Sequence, residues 1–106
     1  MPGEPVWCMV MFDLPTKTKK QRRAYTGFRR YLLDNGFSQV QFSVYSWYSP
    51  AGHLSVRLLK GIKAHLPPGG EVRIYHLTDH QWATALRFSN AREVKQEEAP
   101  TQLMLF

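Results

Sequence analysis

Val6-Trp7-Cys8-Met9-Val10-Met11-Phe12-Asp13-Leu14-Pro15 is the stretch from which the rest of the chain is read. From Val6 to Phe12 the run is apolar throughout and holds neither glycine nor proline. Its length suits a strand covered on both faces better than a helix, which needs more than about ten residues. Asp13 sets a carboxylate at the strand's end, and Leu14-Pro15 stops the ladder because proline has no N–H to give. It is the only acidic residue between Glu4 and Asp34, and a block of cations follows it. Two roles are open to it: an oxygen ligand for metal-assisted chemistry on a polyanion, or a cap for the turn into the next helix.

A chain of 106 residues makes one compact domain whose core needs no disulfide. The lone cysteine, Cys8, lies inside the apolar run, which excludes an intrachain disulfide and a cysteine-based zinc site and agrees with a reducing cytosol. No apolar span reaches the ~18 residues of a transmembrane helix. Met1-Pro2-Gly3-Glu4-Pro5 lacks the basic and apolar regions of a signal peptide. The expectation is a soluble, cytoplasmic protein with no membrane partner. Net charge is +6, from 14 Lys+Arg against 8 Asp+Glu. Lys17, Lys19, Lys20, Arg22, Arg23, Arg29 and Arg30 fall within residues 17–30, where no acidic residue occurs. A concentrated basic patch is the electrostatic footprint of a nucleic-acid binder, whereas an ordinary solvated face mixes both signs.

After Pro15, Thr16 or Thr18 is placed to cap a helix running to about Asn35, and Gly36 supplies the left-handed residue that ends it. At about 100° per residue, Lys19, Arg22, Arg23, Arg29 and Arg30 share one side. Ala24, Tyr25, Phe28, Tyr31 and Leu32 share the other, which must face a sheet. Residues 37–48 carry strong β-propensity. The alternation of Val40, Phe42 and Val44 breaks near Tyr45, giving two short strands or one bulged strand. Ser49-Pro50-Ala51-Gly52 is a turn, and residues 53–66 form a second amphipathic helix stopped by Pro67-Pro68-Gly69-Gly70. Residues 71–77 read as a strand, residues 78–80 as a turn and residues 82–88 as a further short strand or a turn plus a strand, although Ala83, Ala85 and Leu86 would also suit a helix. Residues 89–100 are polar and extended; Gln102-Leu103-Met104-Leu105-Phe106 turns apolar again.

This order is α+β: a ferredoxin-like βαββαβ sandwich with an extra C-terminal strand. Residues 1–88 make the domain and residues 89–106 a tail that binds a partner or adds a strand. Two helices cover one face of an antiparallel sheet, and the other face, rich in large apolar groups, is left for a second copy.

Phe12-Asp13-Leu14-Pro15, Lys19-Lys20-Gln21-Arg22-Arg23, Phe28-Arg29-Arg30-Tyr31-Leu32, Gly36-Phe37, Val40-Gln41-Phe42-Ser43-Val44-Tyr45 and Val72-Arg73-Ile74-Tyr75-His76-Leu77-Thr78 follow one another in a familiar order and spacing. Across about residues 6–88 the chain resembles the CRISPR-associated protein 2 family, the small ferredoxin-like endoribonuclease subunit of spacer acquisition. The Phe-Asp-Leu-Pro form resembles members that accompany single large RNA-guided effector nucleases. The resemblance implies a homodimer packed sheet to sheet, with Asp13 binding magnesium and cleaving phosphodiesters. It also implies a dimer that bridges CRISPR integrase subunits and cradles a short DNA duplex, and a tail that adds strands or holds the integrase.

One chain offers only Asp13 as a well-placed carboxylate, so one Mg²⁺ shared across a two-fold axis is expected, with weak cleavage. His76 and His80 are spaced i, i+4, but not on one helix face. Ser43 and Tyr45 line the cleft or pack in the core. Duplex contact is expected from Arg22, Arg23, Arg29 and Arg30, with Lys17, Lys19 and Lys20 near the helix start. In the tail, Gln102, Leu103, Leu105 and Phe106 resemble the peptide by which replication proteins hold the sliding clamp. The simpler role for them is an added edge strand. The alternative functions are a toxin-like metal-dependent ribonuclease and a general RNA-binding module with exposed aromatics on its open sheet.

Overall fold

The computed structural model describes residues 4–99, so Gln102, Leu103, Leu105 and Phe106 lie outside the described residues. Strand β1 (Val6–Asp13) is followed by α1 (Lys19–Asp34), β2 (Ser38–Gln41), β3 (Val44–Ser49), α2 (Val56–Ala64) and β4 (Glu71–Thr78). The sheet order is β2-β3-β1-β4, and β1 runs antiparallel to both neighbours. β3 therefore separates β1 from β2, and β1 separates β3 from β4. These are the two split βαβ units of the expected ferredoxin-like α+β fold.

Alternation along β1 builds the core. Val6, Cys8, Val10 and Phe12 are buried with Phe28 and Leu32 of α1, Tyr45 of β3, and Leu58 and Ile62 of α2. Phe12 stacks on Tyr45 at 5.7 Å and meets Phe28 edge-on. Burial pushes the Cys8 thiol up to about 11, so it stays protonated and unreactive in the core. The opposite face of β1 is covered at one end only: Trp7 is buried, Met9 half-buried, and Met11 and Asp13 are exposed. The expectation of burial on both faces thus holds for the start of the strand and fails at its end.

Thr18, not Thr16, caps α1, forming a capping box with Gln21, and Gly36 leaves the helix at φ 90°. α2 is shorter than residues 53–66 because Ser55 caps it, its side chain accepting from Leu58 N–H. Of the two alternatives for residues 37–48, two strands are formed, joined at Phe42-Ser43 with Ser43 at φ 63°.

Beyond β4 the chain departs from expectation. Thr78 and Gln81 form a second capping box that starts α3 (Asp79–Ala83), so Trp82 sits on a helix instead of a strand. Trp82 stacks on Trp7 at 4.1 Å and donates from Nε1 to the Glu97 carbonyl at 2.6 Å. In place of a single extra strand there is a separate hairpin, β5 (Arg87–Ser89) and β6 (Arg92–Val94), turned by Asn90 and Ala91, both at positive φ.

Candidate functional site

Asp13 is the last residue of β1 and points away from the helices, onto the uncovered face of the sheet. It does not cap α1, which is capped by Thr18. Among the described residues, no hydrogen bond or ion pair engages its carboxylate. Two neighbouring segments fix its backbone. Phe12 donates its N–H to the Ser43 carbonyl at 3.0 Å, tying the β2–β3 turn to the end of β1. On the other side, Gly70 leads into β4 at φ 73°, so close that a Cβ there would strike the Asp13 carbonyl oxygen.

The register between β1 and β4 sets Glu71 directly opposite Asp13 and Arg73 opposite Met11, all on the uncovered face. With Phe42, Ser43 and Val44 they line a shallow depression of about 240 Å³. Arg73 Nε donates to Glu71 Oε1 at 2.7 Å, and its Nη1 donates to the Tyr75 hydroxyl at 3.3 Å. These oxygens, Tyr75 first and then Glu71, raise the pKa of the guanidinium. Glu71 and Arg73 are the residues that sequence reasoning missed. Only the strand register brings them to Asp13, and no local motif announces a register.

As a metal site, a single chain is incomplete. Among the described residues, no three His, Cys, Asp or Glu side chains form a ligand group. Asp13 and Glu71 are hard oxygen donors, however, and Mg²⁺ binds through one or two carboxylates, waters and substrate phosphates. The donor chemistry therefore fits Mg²⁺, with one carboxylate of the pair still held by Arg73. His76 lies opposite Cys8, on the other face and further along the strand, and His80 is on α3; neither reaches Asp13. Ser43 Oγ is 2.9 Å from the Tyr25 hydroxyl, while Tyr45 is wholly buried.

The basic residues occupy the other side of the molecule. Lys19, Arg22, Arg23 and Arg30 flank Thr26 and Gly27 on the outer face of α1. Arg22 Nη1 donates to the Lys17 carbonyl at 2.8 Å and to the Thr16 carbonyl at 3.2 Å, so it braces the loop before the helix. Lys17 is exposed in that loop, and Lys20 turns towards Pro15, Pro67 and Pro68. Arg29 is half-buried, 3.5 Å from Gln39 Oε1 and beside the Tyr45 phenol, whose pKa burial raises and Arg29 lowers. The patch expected from the sequence therefore keeps four cations on the outer face of α1, of which Arg22 is also bonded to the loop before the helix, while Arg29 is half-buried against Gln39 and Tyr45.

The uncovered sheet face continues from Asp13 across Met9, Met11, Val40, Val44 and Leu77 to Leu86 and Phe88 of the C-terminal segment. Met11, Leu86 and Phe88 are well exposed. Among the described residues, no helix is long and apolar enough to cross a membrane.

Comparison with known proteins agrees with this architecture. The family model for CRISPR associated protein Cas2 matches residues 6–85. The chain belongs to the Cas2 family. A CRISPR-associated endoribonuclease Cas2 from Paracidovorax avenae is 42% identical over 101 residues, covering 95% of this chain and 94% of its own. The protein of that name from Parvibaculum lavamentivorans is 38% identical over 101 residues, covering 95% of this chain and all of its own. The one from Streptococcus mutans is 30% identical over 96 residues. The Cas2 match takes in the whole four-stranded sheet and both long helices, and ends before the β5–β6 hairpin.

Proposed function

We propose that this Cas2-family chain is a cytoplasmic CRISPR-associated endoribonuclease and spacer-acquisition subunit. It acts as a homodimer that cleaves phosphodiesters with Mg²⁺ at Asp13 and holds duplex DNA without sequence preference on α1. The observation that carries the reading is an exposed carboxylate, engaged by no other side chain among the described residues, at the rim of an uncovered apolar sheet face. Pairing two such faces buries the exposed Met11 with the half-buried Met9, Val40 and Val44, and brings two Asp13 carboxylates towards one axis. Asp13 from each copy then holds the ion. Bound there, Mg²⁺ supplies charge stabilisation at the phosphate and a more acidic water. With so few carboxylates the turnover is slow. On the far side, Lys19, Arg23 and Arg30 contact backbone phosphates, which position a duplex without reading its bases. A bridging role between CRISPR integrase subunits follows from the family resemblance and from a surface that accepts arbitrary duplex DNA.

The test compares wild type with Asp13→Ala on preparations whose mass is measured by sedimentation. The expected result is a dimer in both, Mg²⁺-dependent cleavage of RNA in wild type only, and equal duplex affinity. Equal cleavage by both proteins overturns the catalytic assignment, and a monomer at assay concentration overturns the shared site. In cells, spacer acquisition that persists with Asp13→Ala favours the scaffold, whereas a protein whose whole cellular function is lost with Asp13→Ala favours the toxin-like ribonuclease.

A further inference from the structure

Glu71 and Arg73 have no part in the proposal above, yet they are the charged side chains that line the same depression as Asp13. The sheet holds Asp13 and Glu71 as direct cross-strand partners on one face, which places their Cβ atoms about 4.5–5.5 Å apart. Two carboxylates so placed share one divalent ion readily, and without an ion they repel. In the free chain the repulsion is relieved from one side: Glu71 is turned onto Arg73, with Nε donating to Oε1 at 2.7 Å, while Asp13 is engaged by no side chain among the described residues.

We infer that Glu71 is the second carboxylate that each chain brings to the metal site, beside its own Asp13, and that Arg73 is its substrate-operated latch. Glu71 and Arg73 are both 62% exposed, and the pair is correspondingly weak, so a better partner displaces it. A nucleic-acid phosphate is that partner. The guanidinium fork fits phosphate oxygens in two parallel hydrogen bonds, and its other contact, the Tyr75 hydroxyl at 3.3 Å, keeps it on the same face as the depression. When Arg73 takes a phosphate, Glu71 is freed to join Asp13 on the ion. Ion and phosphate then bind cooperatively, and the full ligand set assembles only with substrate in place. A free protein that binds Mg²⁺ weakly and cleaves slowly is what such a latch produces. This inference rests on the assignment of Asp13 as a metal ligand.

The test measures binding, not turnover. Mn²⁺ is titrated into the full chain and followed by the paramagnetic signal of the free ion, with and without a short phosphorothioate RNA that keeps its charge but resists cleavage. Both residues are on the surface, so their variants fold. Glu71→Gln should lose about tenfold in Mn²⁺ affinity with RNA present, the scale of losing a supporting ligand. Arg73→Gln should move the two affinities in opposite directions: Mn²⁺ without RNA binds several-fold tighter because Glu71 is free, and RNA binds more weakly. The gain must vanish in the double variant, since a gain that survives without Glu71 is only the removal of a nearby positive charge and overturns the latch. Glu71→Gln that binds Mn²⁺ like wild type, while Asp13→Asn has lost it, overturns the role of Glu71 and leaves the proposed function standing. Asp13→Asn that keeps full Mn²⁺ affinity overturns both.

Discussion

Gly70 decides how closely β4 begins beside the end of β1, and through that contact it sets where the Asp13 carboxylate stands. Gly69 and Gly70 share nearly the same backbone, φ 74° and 73°, which L side chains adopt only at a cost. Their surroundings differ. A Cβ at Gly69 meets Pro15 Cγ at 3.4 Å, an ordinary contact, whereas one at Gly70 drives into the Asp13 carbonyl and the Leu14 backbone. Comparing two alanine variants therefore separates conformational cost from collision. Gly69→Ala should lose about 1–2 kcal/mol for the left-handed residue alone. Gly70→Ala should lose about 1–3 kcal/mol more, because backbone cannot step aside as a side-chain tip can. Urea unfolding at constant m-value measures both. Mg²⁺-dependent cleavage should survive in Gly69→Ala and fall in Gly70→Ala, where the carboxylate is displaced. Equal losses in the two variants would show that the Gly70–Asp13 approach does not position the site.

The β5–β6 hairpin is the element whose chemistry fits its geometry least well. Asn90 and Ala91 turn it with φ 53° and 62°, the two-residue turn that Asn-Gly makes at little strain. Ala91→Gly should therefore stabilise the hairpin by about 1 kcal/mol. Hydrogen exchange reads this best, as greater protection of the Arg87–Ser89 and Arg92–Val94 amides; unchanged or reduced protection would deny the strain. The same turn explains why the hairpin was illegible in the sequence: Ala91 hides the turn signal, and strands of three residues are too short to show a period of two. α3, with five residues, is concealed likewise and becomes visible only through the Thr78–Gln81 capping box. α1 was legible because everything that makes it is local: Thr18 and Gln21 at its start, Phe28 and Leu32 one turn apart on its buried side, Gly36 at its end. Asp13 was legible as the polar end of an apolar run. Its partner Glu71 was not, because 58 positions separate them and only a register, which is a property of two strands together, places one opposite the other.

At the scale of the whole molecule, the acidic site and the basic face lie on opposite sides of the sheet. Asp13 and Glu71 look out with the apolar face, and Lys19, Arg23 and Arg30 look out from the helix layer. A dimer closed through the apolar faces therefore encloses its carboxylates and presents its cations outward, one set per subunit. On the proposed function, phosphates cleaved at Asp13 and phosphates held on α1 are different contacts, and salt separates them. Each phosphate neutralised contributes about −0.9 to the slope of log K against log salt. Replacing Lys19, Arg23 and Arg30 together by glutamine should make the slope for duplex binding shallower by about 3 if one α1 face engages the duplex. If one duplex touches both faces of the dimer, the change should be about 5. Arg22 and Arg29 provide the control. They are counted in the same sequence patch but are bonded to Thr16, Lys17 and Gln39 within the chain, so their glutamine variants should alter the slope by less per charge. A triple variant with an unchanged slope would remove α1 from the interface. Slopes that fall equally per charge for all five positions would mean that Arg22 and Arg29 leave their internal partners when the duplex arrives. That outcome makes the basic face a surface that the nucleic acid rearranges as it binds.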